Sequence, residues 1–190
     1  MSIVLPIVAV YADESCLGNG REGDNPGGAG GVIEYRLPRS RELTRLDYWD
    51  SEPTTTNNRM ALRSAIDALR ILSGKGRRLR VAFTSDSQNL VRGMREWIPG
   101  WKARGWRRKG GEIENLALWQ ELESAARSHD VDWQWVRGHD GHPQNEYANH
   151  LATRAAREQS RSDGAVPSLY GEWLKEQQSR GKLLGAEADA

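Results

Sequence analysis

The sequence predicts one α/β domain built on a mixed five-stranded sheet, three antiparallel strands followed by two parallel ones, flanked by helices. Two observations carry this. Short apolar runs bounded by Gly, Pro, Asn or Asp occur three times before residue 50 and twice after residue 75, which is a strand signature. The later runs alternate with stretches whose apolar residues recur every three or four positions, as in helices packed on a sheet. The order is βββαβα(α)αβα.

The first strand is expected over 4–12, followed by a Gly-rich loop, GNGREGDNPGG, with the residues that tight turns require. Strands two and three are expected over 28–37 and 42–49, with links short enough for antiparallel pairing. Pro53 and Thr54 to Thr56 break the pattern, and Asn57 is expected to cap a helix. Met60, Leu62, Ala65, Ile66, Leu69 and Leu72 give that helix its inner face, and Gly74 stops it. A fourth strand over 79–83 runs into Thr84-Ser85-Asp86, and a helix over 87–97 follows. A short helix over 100–104, an exposed loop over 105–111 and an amphipathic helix over 113–128 come next. The last strand spans 131–136, with Trp133 and Trp135 on one face and both expected in the core with Trp119. After the loop GHDGHP, a helix over 144–159 turns Tyr147, Ala148, Leu151 and Ala155 inward. Two regions result: a domain over 1–160 and a polar extension over 161–190. There Leu169, Tyr170, Trp173 and Leu174 suit one short docking helix before a frayed end.

The chain has 190 residues, 37% hydrophobic and 28% charged, which is enough for a full core. No stretch approaches the roughly 20 apolar residues of a membrane helix. No signal peptide is evident at the start, and the single cysteine, Cys16, excludes an internal disulfide, so a cytoplasmic protein is expected. Net charge is +1, yet Arg92, Arg95, Lys102, Arg104, Arg107, Arg108 and Lys109 crowd one region opposed by Glu96 alone. Trp97, Trp101 and Trp106 share it. Overall neutrality conceals a basic, aromatic patch.

Two carboxylate positions stand out. Asp13-Glu14 closes the first apolar run, and Asp86 lies just past the fourth strand. Anions at strand ends are costly unless a positive charge shares the site, and a divalent metal is the simplest candidate.

The segments ADESCLGN, TTTNNRMAL, FTSDSQNLVRGMREWIPGWKARGW, LWQEL and WVRGHDGHPQNEYANHLA, in this order and on these elements, resemble type 1 ribonuclease H. The resemblance covers roughly 8–156. It implies an RNase H-like fold with a basic helical protrusion. It also implies a monomer that cuts the RNA strand of RNA/DNA hybrids with two Mg²⁺ (or Mn²⁺) ions held by four carboxylates. Asp13 and Asp86 match the first and third carboxylates. Ala61 stands at the second position and Asn149 at the fourth, where a neutral carbonyl oxygen can still serve a hard cation. Glu14, where the family usually has Gly, is a candidate replacement ligand; the plainer alternative turns it away on the other side of the strand. Asp140 and Glu146 are further candidates, whereas Asp67 is expected to face solvent. His139 matches a mobile histidine that assists proton transfer and product release, and His142 a loop-stabilising residue.

The resemblance also implies a substrate surface. Asn19, Asn57, Asn58 and Gln88 would contact the minor groove, where amides both donate to and accept from 2′-hydroxyls. Thr56 would join a DNA phosphate pocket. Trp97, Trp101, Lys102, Arg104 and Trp106 would form the protrusion, its cations on phosphates and its indoles on sugars or bracing the helices. The leading expectation is a nuclease with a divergent metal site. The alternative is a weakly active or inactive module, natural or engineered, that grips hybrids without cutting. A nuclease or transposase relative with other substrates is a third reading, which the Asn pair and the protrusion disfavour.

Overall fold

The computed structural model describes residues 7–18, 24–37, 40–138 and 140–186. Three long strands open the chain: β1 (Ile7–Cys16), β2 (Gly27–Arg36) and β3 (Leu43–Glu52), each antiparallel to the next. β4 (Arg80–Ser85) and β5 (Asp130–Trp135) are added on the other side of β1, parallel to it. The expected five strands are present, and a sixth, β6 (Val166–Pro167), pairs with β3. The order across the sheet is β5-β4-β1-β2-β3-β6. The sixth strand went unseen because two residues carry no period to read.

β1 runs further than expected at its far end. Register with β2 continues through Asp13↔Gly30, Glu14↔Ala29 and Cys16↔Gly27. Asp13 and Glu14 therefore lie within the strand rather than beyond it. The GGAGG run makes this possible. A Cβ at Gly28 would stand 2.1 Å from the Ala152 carbonyl oxygen, and one at Gly30 would stand 2.6 Å from the Ala152 nitrogen. Helix α5 (Pro143–Glu158) thus rests directly on the backbone of β2.

Helix α1 (Asn57–Ser73) is capped by Thr56, whose hydroxyl accepts the Arg59 N–H at 3.3 Å, so the cap lies one residue before the expected Asn57. Gly74 ends it as expected. The helix expected over 87–97 is interrupted. α2 (Gln88–Arg92) passes into a π-helical turn over Gly93–Trp97 and then into α3 (Ile98–Ala103). Trp119 supplies a reason for the glycine in that turn, since a Cβ on Gly93 would lie 2.1 Å from its ring. α4 (Leu116–Ala126) starts later than expected because Asn115 is left-handed, with φ 56°. Phe83, Trp101, Trp119, Leu122 and Trp133 join Val10, Ala12, Leu62 and Leu69 in the main core. The Val, Leu and Phe side chains among them, fully buried, contribute about 1.5–3 kcal/mol each.

The extension is part of the fold. α6 (Tyr170–Ser179) buries Tyr170, Trp173 and Leu174 with Tyr147, Leu151 and Val32 in a second cluster. The buried Asp47 carboxylate of β3 fastens it, accepting the Tyr147 hydroxyl at 2.6 Å and the Leu169 N–H at 3.1 Å. Among the described residues no helix is long and apolar enough to cross a membrane.

Two side chains depart from expectation. Trp135 is 45% exposed, because β5 is the outermost strand and Trp135 is its last residue. Asp67 is half-buried rather than solvent-facing, in a cavity of about 370 Å³ shared with Asp50, Arg63 and Arg70. Burial and then the Asp50 charge push its carboxyl up to about 6.

Candidate active site

Three carboxylates converge at one edge of the sheet. β1 and β4 are parallel and in register through Ala12↔Ser85, so Asp13, still within β1, and Asp86, just past β4, are the next residues along adjacent strands. Glu14 joins them: one carboxylate oxygen from each of Asp13, Glu14 and Asp86 lies within 4.8 Å of the other two. They line an open cavity of about 300 Å³ together with Ser15, Cys16, Asn57 and Asn149.

The Asp13 carboxylate is held on both sides. Oδ1 accepts the Glu14 N–H at 2.6 Å, and Oδ2 accepts the Asn145 side-chain amide at 3.4 Å. Burial, and after it the Asp86 charge, pushes the Asp13 carboxyl up to about 8. Burial also drives Glu14 well above the ordinary carboxylate range, with the Asp13 and Asp86 charges adding to it. Glu14 Oε2 is buried and has no hydrogen-bond partner among the described residues. Crowded anions with an orphaned buried oxygen fit a hard divalent cation, which neutralises the repulsion and takes oxygen ligands.

The other candidates fall around this cluster. Asn149 reaches the cavity from α5, its Oδ1 accepting the Thr153 hydroxyl at 3.1 Å. Ala61 is buried in the main core and offers no donor. Glu146, in the first turn of α5, contributes to the upward push on Asp13 but stands outside the three-carboxylate group, as does the exposed Asp140. His142 caps α5, its Nδ1 accepting the Asn145 N–H at 3.4 Å. His139 and Asn19, with Arg21 and Glu22 of the Gly-rich loop, lie outside the described residues.

The presumed substrate residues divide into two groups. Thr56, Asn57, Asn58 and Gln88 are exposed around the starts of α1 and α2. Asn58 lines a second cleft, of about 300 Å³, with Asn89, Trp97, Trp101, Arg108 and Asn115. In the protrusion the indoles brace. Trp101 is buried and packs at 5.8 Å from Trp97 and 5.6 Å from Trp119, measured between ring centroids. Trp106 is half-buried against the same core. The Lys102 ammonium, still partly exposed, pairs with Glu123 of α4, and the Arg104 Nε donates to the Arg107 carbonyl at 3.2 Å.

Sequence reasoning missed Asn145, Asn89 and Asn115. Asn145 lies four residues before Asn149, hence on the same helix face, and that spacing was the signal available. Asn115 gave none, because a left-handed residue before a helix has no periodicity.

The family model described as RNase H matches residues 6–157. The chain is 44% identical over 148 residues to "Ribonuclease H" of Stutzerimonas stutzeri, covering 77% of this chain and 89% of the relative. It is 43% identical over 154 residues to "Ribonuclease HI" of Caulobacter vibrioides, covering 80% and 95%. Among solved structures it resembles LC9-RNase H1, described as "a type 1 RNase H with the type 2 active-site motif". There the TM-score is 0.88 and the identity 58%, covering 95% of this chain and 86% of that one. By these matches, and by the sheet edge that gathers its carboxylates, the chain belongs to the ribonuclease H family.

Proposed function

We propose that this protein is a metal-dependent endoribonuclease that hydrolyses the RNA strand of RNA/DNA hybrids. Its metal site has the second carboxylate supplied by Glu14 of β1 rather than by α1. The observation that carries the reading is the group formed by Asp13, Glu14 and Asp86, with the buried Glu14 Oε2 lacking a partner among the described residues. The likeness to a type 1 enzyme described as having a type 2 active-site motif supports it, since that enzyme too combines one class's fold with another's motif.

In this reading Asp13, Glu14 and Asp86 hold the metal, and the Asn149 carbonyl is a weaker fourth ligand. Two Mg²⁺ or Mn²⁺ ions, bound together with substrate, supply an activated water and stabilise the leaving oxygen. Asn145 orients Asp13 through its 3.4 Å hydrogen bond. His139 moves the proton at the leaving side. Asn19, Asn57, Asn58 and Gln88 read the minor groove through 2′-hydroxyls, which separates RNA from DNA. Thr56 holds a DNA phosphate, and Arg104 with the Trp-bearing protrusion steers the backbone. The catalytic unit is residues 1–160, braced by 161–190, acting as a cytoplasmic monomer.

The test is cleavage of an end-labelled RNA/DNA hybrid with Mg²⁺ and with Mn²⁺, beside Asp13→Asn. Metal-dependent cuts in the RNA strand that vanish in the variant are the expected result. Tight hybrid binding without cuts under either metal would reject the enzyme in favour of a binding module.

A further inference from the structure

We propose that Trp135 is a packing platform for the nucleic-acid strand beside the carboxylate cluster, a contact that rests on the hybrid-cutting function proposed above. All eight tryptophans are described, and Trp135 is the one that is exposed, at 45%. Two residues earlier on the same face, Trp133 is buried against Phe83 with ring centroids 4.8 Å apart. The chain thus buries one indole and turns the next one out.

The position of Trp135 is fixed. Its indole N–H donates to the main-chain carbonyl of Asp86 at 3.0 Å. That bond anchors the edge of the ring and satisfies its one polar atom, and no other aromatic ring or cation of the described residues stacks on its faces. The free surface is therefore apolar and rigid. Such a surface suits a ribose or a base, whichever the strand presents.

Its place relative to the chemistry follows from register. Ala12, Ser85 and Trp135 lie in one row across β1, β4 and β5, so Asp13 and Asp86 are the next residues along two of these strands. With strands about 4.8 Å apart, the Trp135 backbone stands about 10 Å from β1, the strand that bears Asp13. A strand rising ~3.4 Å per nucleotide brings that surface within about three nucleotides of the carboxylates. Arg137, two residues on in the chain, is exposed and has no ion pair among the described residues, so the same segment carries a cation for phosphate. An exposed indole tied to the Asp86 main chain and an exposed guanidinium two residues on favour a nucleic-acid occupant over a protein one.

The experiment measures binding of an RNA/DNA hybrid by fluorescence anisotropy in EDTA, where metal-dependent cleavage is off, and KM and kcat with Mg²⁺. It compares the wild type with Trp135→Ala and Trp135→Phe, with thermal midpoints as the folding control. Trp135→Ala should weaken binding about tenfold and raise KM in parallel. Trp135→Phe, which keeps a ring and loses the N–H, should stay within about threefold of wild type. If both variants keep wild-type binding and KM while kcat falls, the indole acts through Asp86 and the platform is rejected. If Trp135→Ala changes nothing, or if Trp135→Phe binds as poorly as Trp135→Ala, it is likewise rejected. Should Trp135→Ala unfold, the Phe variant and photocrosslinking of 5-iodouridine-labelled hybrid to the Trp135 peptide decide alone; no crosslink there overturns the platform. Absence of hybrid binding by the wild type would instead overturn the functional reading, and this contact with it.

Discussion

The backbone N–H of Glu14 donates to the carboxylate of Asp13 at 2.6 Å, so two consecutive acidic residues are tied to each other at the mouth of the site. The bond orients Asp13 while leaving the Glu14 carboxylate free to enter the cluster. Glu14→Ala leaves this backbone bond intact and deletes the second acid. Cleavage should fall at least ~10³-fold, with hybrid affinity in EDTA close to wild type. Single-turnover assays with Mg²⁺ check the first, and anisotropy checks the second. A cleavage rate equal to wild type would rule out Glu14 as a ligand.

Proton linkage gives a second expectation. Asp13 has its carboxyl pushed up to about 8 in the metal-free fold, against an ordinary value near 3.8 in the unfolded chain. Between those values the fold holds a proton that the unfolded chain has released. Stability of the metal-free protein therefore falls as pH rises through that window, by at most ~1.4 kcal/mol per unit. Mg²⁺ must displace this proton. Thermal melts in EDTA should show a higher midpoint at pH 5 than at pH 8, a gap that Mg²⁺ narrows. Calorimetry in buffers of different ionisation heat should detect about one proton released per binding event near pH 7.

Gly138 supports the third carboxylate by having no side chain. A Cβ there would lie 2.3 Å from Asp86 Oδ2, so Gly138→Ala must move a candidate metal ligand. Metal affinity and kcat should fall about 10–100-fold, with KM nearly constant. A metal titration of the activity separates this outcome from a folding defect, because excess Mn²⁺ should recover part of the loss.

The docked extension carries a stability expectation. Trp173 is buried against Tyr147, with ring centroids 5.1 Å apart, on the helix that also bears Asn145 and Asn149. Trp173→Ala should cost ~3–5 kcal/mol. That corresponds to a midpoint lower by roughly 6–20 °C in thermal denaturation.

Much of this molecule was legible in its sequence, for identifiable reasons. Five strands and the long helices follow from periods of two and 3.6, and α1 stops at Gly74 where the apolar stripe ends. Asp13 and Asp86 were legible because each closes an apolar run, although Asp13 lies within β1 and only Asp86 past its strand. Whether Glu14 joins them was not, since alternation along a strand leaves either side open; the end of β1 decides it. Trp135 was misread because the alternation of β5 assigns it a face without telling where the cover on that face ends. The ion pair of Lys102 was not legible, because its partner, Glu123, lies 21 residues away in a different helix. Asp67 looked solvated because the Asp50 side chain beside it comes from β3.

The two-residue strand β6 has a consequence for how this protein behaves in crowded solution. β3 is ten residues long, and without its partner it would offer unpaired main-chain groups as a template for another molecule's strand. β6 ends in Pro167, which has no N–H to donate, so it occupies that margin without extending the template. Releasing β6 while α6 stays docked would bare that margin at Leu46 and Asp47. Its first symptom would be turbidity and edge-to-edge assembly at high concentration, a colloidal failure arising far from the carboxylates.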